Sequence, residues 1–360
     1  MTVGNANKNV EVSWFSALCD DDYEFLGQPD PLLASSWEHC RNIVLNAEKG
    51  GFDNILLPSG YQLGIDTAAF ASAIAVLTNR IRLLMAVRVG ETWPPQLARQ
   101  IATLDRISGG RLNVNIISSD MPGEKMESEP RYRRTIEVMQ ILKTLLNGEH
   151  LNHEGEHYKF DLDPPRVGTL SGKCPPLYFG GLSPAARDAA AQGCDVYLMW
   201  PETVQAAKEL VDDMTERAAR YGRKLKFGFR SHVIVRETEA EARTYADRLL
   251  SKLDAGTGEA IRNKSLDAQT FGVARQAELR EASAANDGYI EENLWTGIGR
   301  ARSGCGAAIV GDPDQVLAKL KAYQSVGIEA FILSGYPHIN ECDMFARHVL
   351  PKLQHGPLAV

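Results

Sequence analysis

Apolar positions along this chain switch repeatedly between two periods. Short runs that are apolar throughout, or at every second residue, give way to longer stretches spaced three and four apart. Val10–Leu18 alternates and reads as a strand, and an acidic loop, Asp20-Asp21-Asp22, follows it. Ser35–Lys49 has helical spacing (Trp37, Cys40, Ile43, Val44, Ala47) and stops at Gly50-Gly51. Asn54–Leu57 is a short apolar strand that runs into Pro58-Ser59-Gly60, and Asp66 caps an Ala-rich helix to about Thr78. Arg80–Arg88 is the next strand, and Pro94-Pro95 opens a helix to Ile107. Arg111–Ile117 is again a strand, and after a polar loop Arg131–Leu146 forms a long amphipathic helix.

Residues 148–174 read as irregular, with room for a hairpin. The order resumes with a strand at Pro175–Phe179, a helix from Ser183-Pro184, a strand at Asp195–Trp200 and a helix over Thr203–Tyr221. Lys226–Val235 is a strand of β-branched and aromatic residues, and Thr238–Leu253 a helix. From Asp254 to about Gly306 the pattern fails, which predicts a helical excursion with a mobile segment. Ala307–Val310 (strand), Asp314–Ser325 (helix), Ala330–Leu333 (strand) and Asn340–Leu353 (helix) complete the chain.

The result is about eight strands, most followed by a helix. One βα series without a break in composition predicts a closed α/β barrel of the (β/α)8 TIM type. It is a single domain over residues 1–360, with an insertion expected to be mobile at about 256–306. An open doubly wound sheet is the alternative. It would carry a GxGxxG fingerprint near its start, and no glycine cluster here has that spacing.

Composition narrows the function classes. With 360 residues, 44% of them hydrophobic, the chain can bury a sizeable core. A net charge of −7 and no long basic run argue against nucleic acid and anionic membrane as partners. Met1–Val10 is polar, without a signal-peptide apolar core, and no run approaches a membrane span. The six cysteines are scattered and the eight histidines form no HExxH, so neither a disulfide framework nor a zinc site is predicted. A cytoplasmic protein is the expectation.

In a barrel the chemistry sits where strands end. Those positions are Pro58 and Ser59, Arg88, Asn115, Trp200, Arg230 and His232, and Tyr336 and His338. No acidic pair is among them, which argues against glycosidase chemistry, and GxSxG is absent. Arg230 and His232 lie two apart on one strand and so share a face, a permanent cation beside a group that titrates near neutrality. Gly180-Gly181-Leu182-Ser183-Pro184 suits a phosphate: glycines for close approach, then a capped helix start. An ordinary capped helix is the simpler reading of these residues. Trp200 is as readily a core residue, and Arg300 and Arg302, among glycines, are either solvated loop charges or cations on a closing lid.

From Trp14 to about Leu353 the chain resembles the bacterial luciferase-like flavin-dependent monooxygenases, and among them the reduced-FMN-dependent alkanesulfonate monooxygenases. The likeness is carried by Ala102–Arg111 (Ala-Thr-Leu-Asp-Arg-Ile-Ser-Gly-Gly-Arg), Arg131-Tyr132, Pro175–Gly181, Phe227–Thr238, Asn293–Gly299 and Leu333–His338. The first run is common across the flavin superfamily, and the last three are closer to the sulfonate branch. The resemblance implies Pro58 and Ser59 near the flavin ring, and Asn115, Glu124, Arg131, Tyr132, Gly181 and Ser183 around the rest of the FMN. It implies a sulfonate pocket of Trp200, Arg230, His232, Tyr336 and His338, with Arg302 on the mobile loop.

The implied reaction takes reduced FMN from a separate NAD(P)H-dependent reductase, uses O2, cleaves the C–S bond of an organosulfonate and releases sulfite. His232 is the first candidate for proton transfer and Arg230 the second. A homodimer or homotetramer is implied by the family alone. One feature departs from the pattern: Gly60–Asp66 lacks the cysteine usual near Leu63, which leaves a bulkier or more polar sulfonate such as a sulfosugar open. Monooxygenation of a neutral sulfone or pyrimidine, and non-catalytic flavin binding, are the alternative readings.

Overall fold

A computed structural model of the chain describes residues 9–61, 64–263, 270–302 and 304–360. In chain order the elements are β1 (Glu11–Phe15), α1 (Trp37–Gly50), β2 (Asn54–Leu57), α2 (Thr67–Ala75), β3 (Arg82–Arg88), α3 (Pro94–Ile107), β4 (Leu112–Ile117) and α4 (Ser128–Leu146). A hairpin of β5 (Leu151–Glu154) and β6 (Lys159–Leu162) precedes β7 (Leu177–Phe179), α5 (Pro184–Gly193), β8 (Val196–Met199), α6 (Val204–Arg220), β9 (Lys226–Val235) and α7 (Glu239–Leu250). Then come α8 (Ala255–Asn263), α9 (Phe271–Ala282), β10 (Tyr289–Glu291), β11 (Leu294–Trp295), β12 (Ala308–Gly311), α10 (Pro313–Ser325), β13 (Ala330–Ser334) and α11 (His338–His348).

The parallel pairings β1–β2, β2–β3, β3–β4, β4–β7, β7–β8, β8–β9, β9–β13 and β13–β1 close a ring of eight strands. Alternation along each strand decides what lines it. On β1, Val12 and Trp14 point out to the helix layer. Phe15 joins Leu56, Leu84, Tyr178, Val196 and Ile332 in the interior of the ring. Gly228 faces inward too, and a Cβ there would stand 2.5 Å from the Leu198 side chain, so glycine makes room for that leucine.

The N-terminal end of the barrel is sealed by the C-terminal tail. Leu358 packs against the interior cluster, and its N–H donates to Glu11 Oε2 at 3.1 Å. Buried Glu11 accepts from Asn54 Nδ2 (3.1 Å) and Tyr178 Oη (3.0 Å), and desolvation raises its pKa. The opposite end, where the strands finish, is left for chemistry.

The run Ala307–Val310 is not part of the ring. β12 pairs with the outer half of β9, His232 to Val235, while the inner half of β9 pairs with β8. The physical reason is length: β9 has ten residues, β8 has four, and the ladder groups of β9 beyond Phe229 need a partner. β12 supplies it and carries β11 and β10 as an antiparallel extension. The described part of 256–306 therefore contains two short strands as well as helices. Gln62 and Leu63, where the family cysteine is missing, lie outside the described residues, as do residues 1–8, 264–269 and Ser303.

Candidate active site

β9 and β13 place the centre of the site. Their register sets Ile332 beside Arg230 and Ser334 beside His232. Arg230 is only 5% exposed. Its Nη1 donates to the Ser231 carbonyl (2.7 Å) and, at 3.5 Å, to that of Ile332, and its Nη2 donates to Ser334 Oγ (2.8 Å). The guanidinium sits 4.4 Å over the Phe15 ring. Three of its five N–H groups are thus committed, which orients the fork and leaves two without a protein acceptor among the described residues. Burial lowers its pKa, yet an arginine starts so high that it stays a cation.

His232 is fully buried. Its Nδ1 lies 2.8 Å from Ser334 Oγ, and Nε2 has no hydrogen-bond partner among the described residues. Its ring lies tilted at 31° to that of Tyr336, with centroids 5.0 Å apart. Desolvation, then the positive charges of Arg230 and Arg302, hold its pKa well below the usual 6.5, so the ring is neutral. His338 opens α11, with neither ring nitrogen partnered among the described residues, and burial lowers its pKa as well. Its ring stacks on Phe15 at 5.7 Å.

The loops complete the wall. Tyr336 Oη receives a hydrogen bond from Arg302 Nη1 (2.8 Å), and Arg302 also pairs with Asp21. Asp22 accepts from the His338 N–H (3.0 Å) and pairs with His39 at 2.8 Å. Trp200 packs where Gly272 and Gly304 approach its ring; a Cβ on Gly272 would stand 2.8 Å from it. Trp200, Arg230, His232, Arg302, Tyr336 and His338 thus belong to one half of the barrel mouth.

The other half holds the expected cofactor residues. Ser183 caps α5 by accepting from the Ala186 N–H (3.2 Å). At Gly181 a Cβ would stand 2.6 Å from Ala186 Cβ, and at Gly180 2.2 Å from the Leu198 carbonyl oxygen. Tyr197 Oη donates to the Gly181 carbonyl (2.7 Å). Tyr132 on α4 meets Phe179 edge-on. Arg131 pairs with Asp120 at 3.0 Å and keeps a buried, unpartnered Nε, and Ser119 Oγ is also buried without a partner. Pro58 and Ser59 follow β2, where their carbonyls accept from Thr67 Oγ1 (2.6 Å) and Arg88 Nη2 (3.4 Å). Asn115 points into the barrel from β4 beside Ala86. Glu124 is exposed and pairs with Arg134 of α4 at 3.5 Å.

Sequence reading missed Asp21, Asp22, Phe15 and Ser334. The acidic loop was visible as a charge run, but its pairing with Arg302 and His338 crosses more than 280 residues. Ser334 carried the better signal, since it is two residues after Ile332 on one strand and so faces inward.

The fold is a closed eight-stranded parallel barrel, and the family model described as luciferase-like monooxygenase matches residues 24–330. The chain belongs to the luciferase-like monooxygenase family. Over 362 residues it is 70% identical to the sulfoquinovose monooxygenase of Novosphingobium aromaticivorans, covering 99% of this chain and 100% of that one. It is 53% identical over 348 residues to the sulfoquinovose monooxygenase of Agrobacterium fabrum, covering 96% and 90%. Among solved structures, DmoA from Hyphomicrobium sulfonivorans superposes with a TM-score of 0.78 at 18% identity, over 97% of this chain and 90% of that one. At that identity the likeness concerns the fold.

Proposed function

We propose that this chain is the oxygenase of a two-component system that desulfonates sulfoquinovose. Reduced FMN comes from a separate NAD(P)H-dependent reductase. The overall balance is R–CH2–SO3⁻ plus O2 and reduced FMN giving R–CHO, sulfite, a proton, water and oxidised FMN. One oxygen atom enters the carbonyl and the other becomes water, with two electrons from the flavin. The observation that carries the reading is Arg230, a buried guanidinium fixed by three hydrogen bonds with its remaining donors uncommitted. A sulfonate is ionised at any physiological pH and needs such a fixed cation in a dry pocket. The two sulfoquinovose monooxygenase relatives, at 70% and 53% identity, supply the sugar.

The residues of the second half fit FMN. The Gly180-Gly181 backbone and the capped start of α5 suit its phosphate, with Tyr132 and Arg131 beside them. Pro58, Ser59 and Asn115 border the ring position. Bound reduced flavin supplies the reaction with O2. The chain's own residues do the rest. Arg230 binds the sulfonate, Trp200, His232, Tyr336 and His338 add donors, and Arg302 adds a second cation on the insertion, which serves as a lid. Neutral His338 is the group able to accept the proton leaving the carbon that bears sulfur. No helix among the described residues is long and apolar enough to cross a membrane, which is compatible with a cytoplasmic enzyme. The family relationship favours a homodimer or homotetramer.

The test is sulfite release from protein mixed with FMN, NADH, a generic flavin reductase and air. Sulfoquinovose is expected to yield sulfite, and methanesulfonate and longer alkanesulfonates far less. Product from dimethyl sulfone, with no sulfite from any sulfonate, would overturn the reading.

A further inference from the structure

Ser334 closes β13 with no exposed surface. Its Oγ lies 2.8 Å from Arg230 Nη2 and 2.8 Å from His232 Nδ1, its only side-chain partners among the described residues. A guanidinium has donors and no acceptor, so the first contact uses a serine lone pair. The hydroxyl proton then has one acceptor left, the lone pair on His232 Nδ1. If the ring proton sat on Nδ1 instead, that N–H would take the second serine lone pair, and a fully buried hydroxyl proton would have no acceptor. The directed chain Arg230 Nη2–H to Ser334 Oγ–H to His232 Nδ1 is the arrangement in which the Ser334 hydroxyl is satisfied as both acceptor and donor.

We propose that Ser334 is a positioning residue that locks His232 in the tautomer with its proton on Nε2, so that the ring presents a donor and not a base inside the barrel. Nε2 is the ring nitrogen with no hydrogen-bond partner among the described residues, and the N–H there is free to meet a ligand oxygen. That this oxygen belongs to a sulfonate rests on the function proposed above; the tautomer does not. Burial beside Arg230 and Arg302 keeps the ring from taking a second proton. His338, both of whose ring nitrogens are unpartnered, is left as the histidine with an uncommitted lone pair.

The tautomer is read directly in ligand-free protein labelled with 15N-histidine. Long-range 1H–15N correlations distinguish a protonated Nε2 from a protonated Nδ1, and the His232 signals are identified by their loss in His232→Gln. The wild type is expected to show protonated Nε2 alone, and Ser334→Ala a mixture. A protonated Nδ1 in the wild type would overturn the proposal whatever the substrate is.

Turnover gives a second arm. The glutamine amide sets an N–H near the place of Nε2 but cannot act as a base. Loss of a general base costs about 10²–10⁴ in kcat, so His232→Gln is expected to raise KM for sulfoquinovose while kcat falls by less than about tenfold. A kcat for His232→Gln as low as that of His232→Leu would refute the donor role. If no sulfonate turns over at all, the function proposed above fails while the labelled spectra still decide the tautomer.

Discussion

Replacing Arg230 by alanine removes a cation that is buried, fixed and partly uncommitted at once. Two of its N–H groups have no protein acceptor among the described residues, which suits a bidentate contact with sulfonate. Charge-assisted hydrogen bonds contribute about 1.5–3 kcal/mol each, so two amount to about 3–6 kcal/mol, or about 10²–10⁴ in kcat/KM. Arg230→Lys keeps the charge but not the fork. A single ammonium cannot hold Ser334 Oγ, two carbonyls and a sulfonate together, so it is expected to lose about tenfold to a hundredfold. The assay is the initial rate of sulfite release from sulfoquinovose over a range of concentrations, with thermal melts confirming that both variants fold. The arginine contributes little to stability that its desolvation does not offset, so a folded Arg230→Ala protein is expected. If that protein kept kcat/KM within about threefold of wild type, the sulfonate clamp would be wrong.

Other consequences can be checked independently. Gly181→Val drives a side chain toward Ala186 Cβ, 2.6 Å from the first added atom, and is expected to weaken FMN binding at least tenfold by flavin fluorescence; unchanged affinity would remove the phosphate from this turn. Burial holds the folded-state pKa of His232 below the unfolded value near 6.5, so the unfolded chain binds more protons and stability falls as pH drops below about 6.5. Urea melts from pH 7.5 to 5.5 are expected to fall more steeply for wild type than for His232→Gln, by about 1.4 kcal/mol per pH unit, and parallel slopes would contradict a buried neutral ring. Arg236 pairs with buried Glu341 through two hydrogen bonds of 3.0 and 2.7 Å, so Arg236→Ala is expected to cost about 3–5 kcal/mol in denaturant melts, with Glu341→Gln partly restoring it in the double variant.

How far the sequence was legible depends on the distance over which each feature is set. Period and punctuation are local, so the alternation from Val10 to Leu353 was enough to predict a closed barrel. Strand alternation also placed Arg230 and His232 on one face, where the structure has them. The run Ala307–Val310 shows the limit. It is as apolar as any wall strand, and only the surplus length of β9 over β8 draws it out of the ring. Glu124 shows another, since a motif match could not say that its side chain pairs with Arg134.

The chain by itself determined the element order, the barrel class and the residue types at the strand ends, because these depend on side-chain periodicity and on the turn chemistry of Gly, Pro, Ser and Asp. The tertiary structure decided the pairings between distant segments: Asp21 with Arg302, Asp22 with the start of α11, and Ser334 between Arg230 and His232. These are register and burial effects. A serine's hydroxyl direction, or a histidine's tautomer, is fixed only when neighbours from separate strands remove water and leave each proton a single place to go.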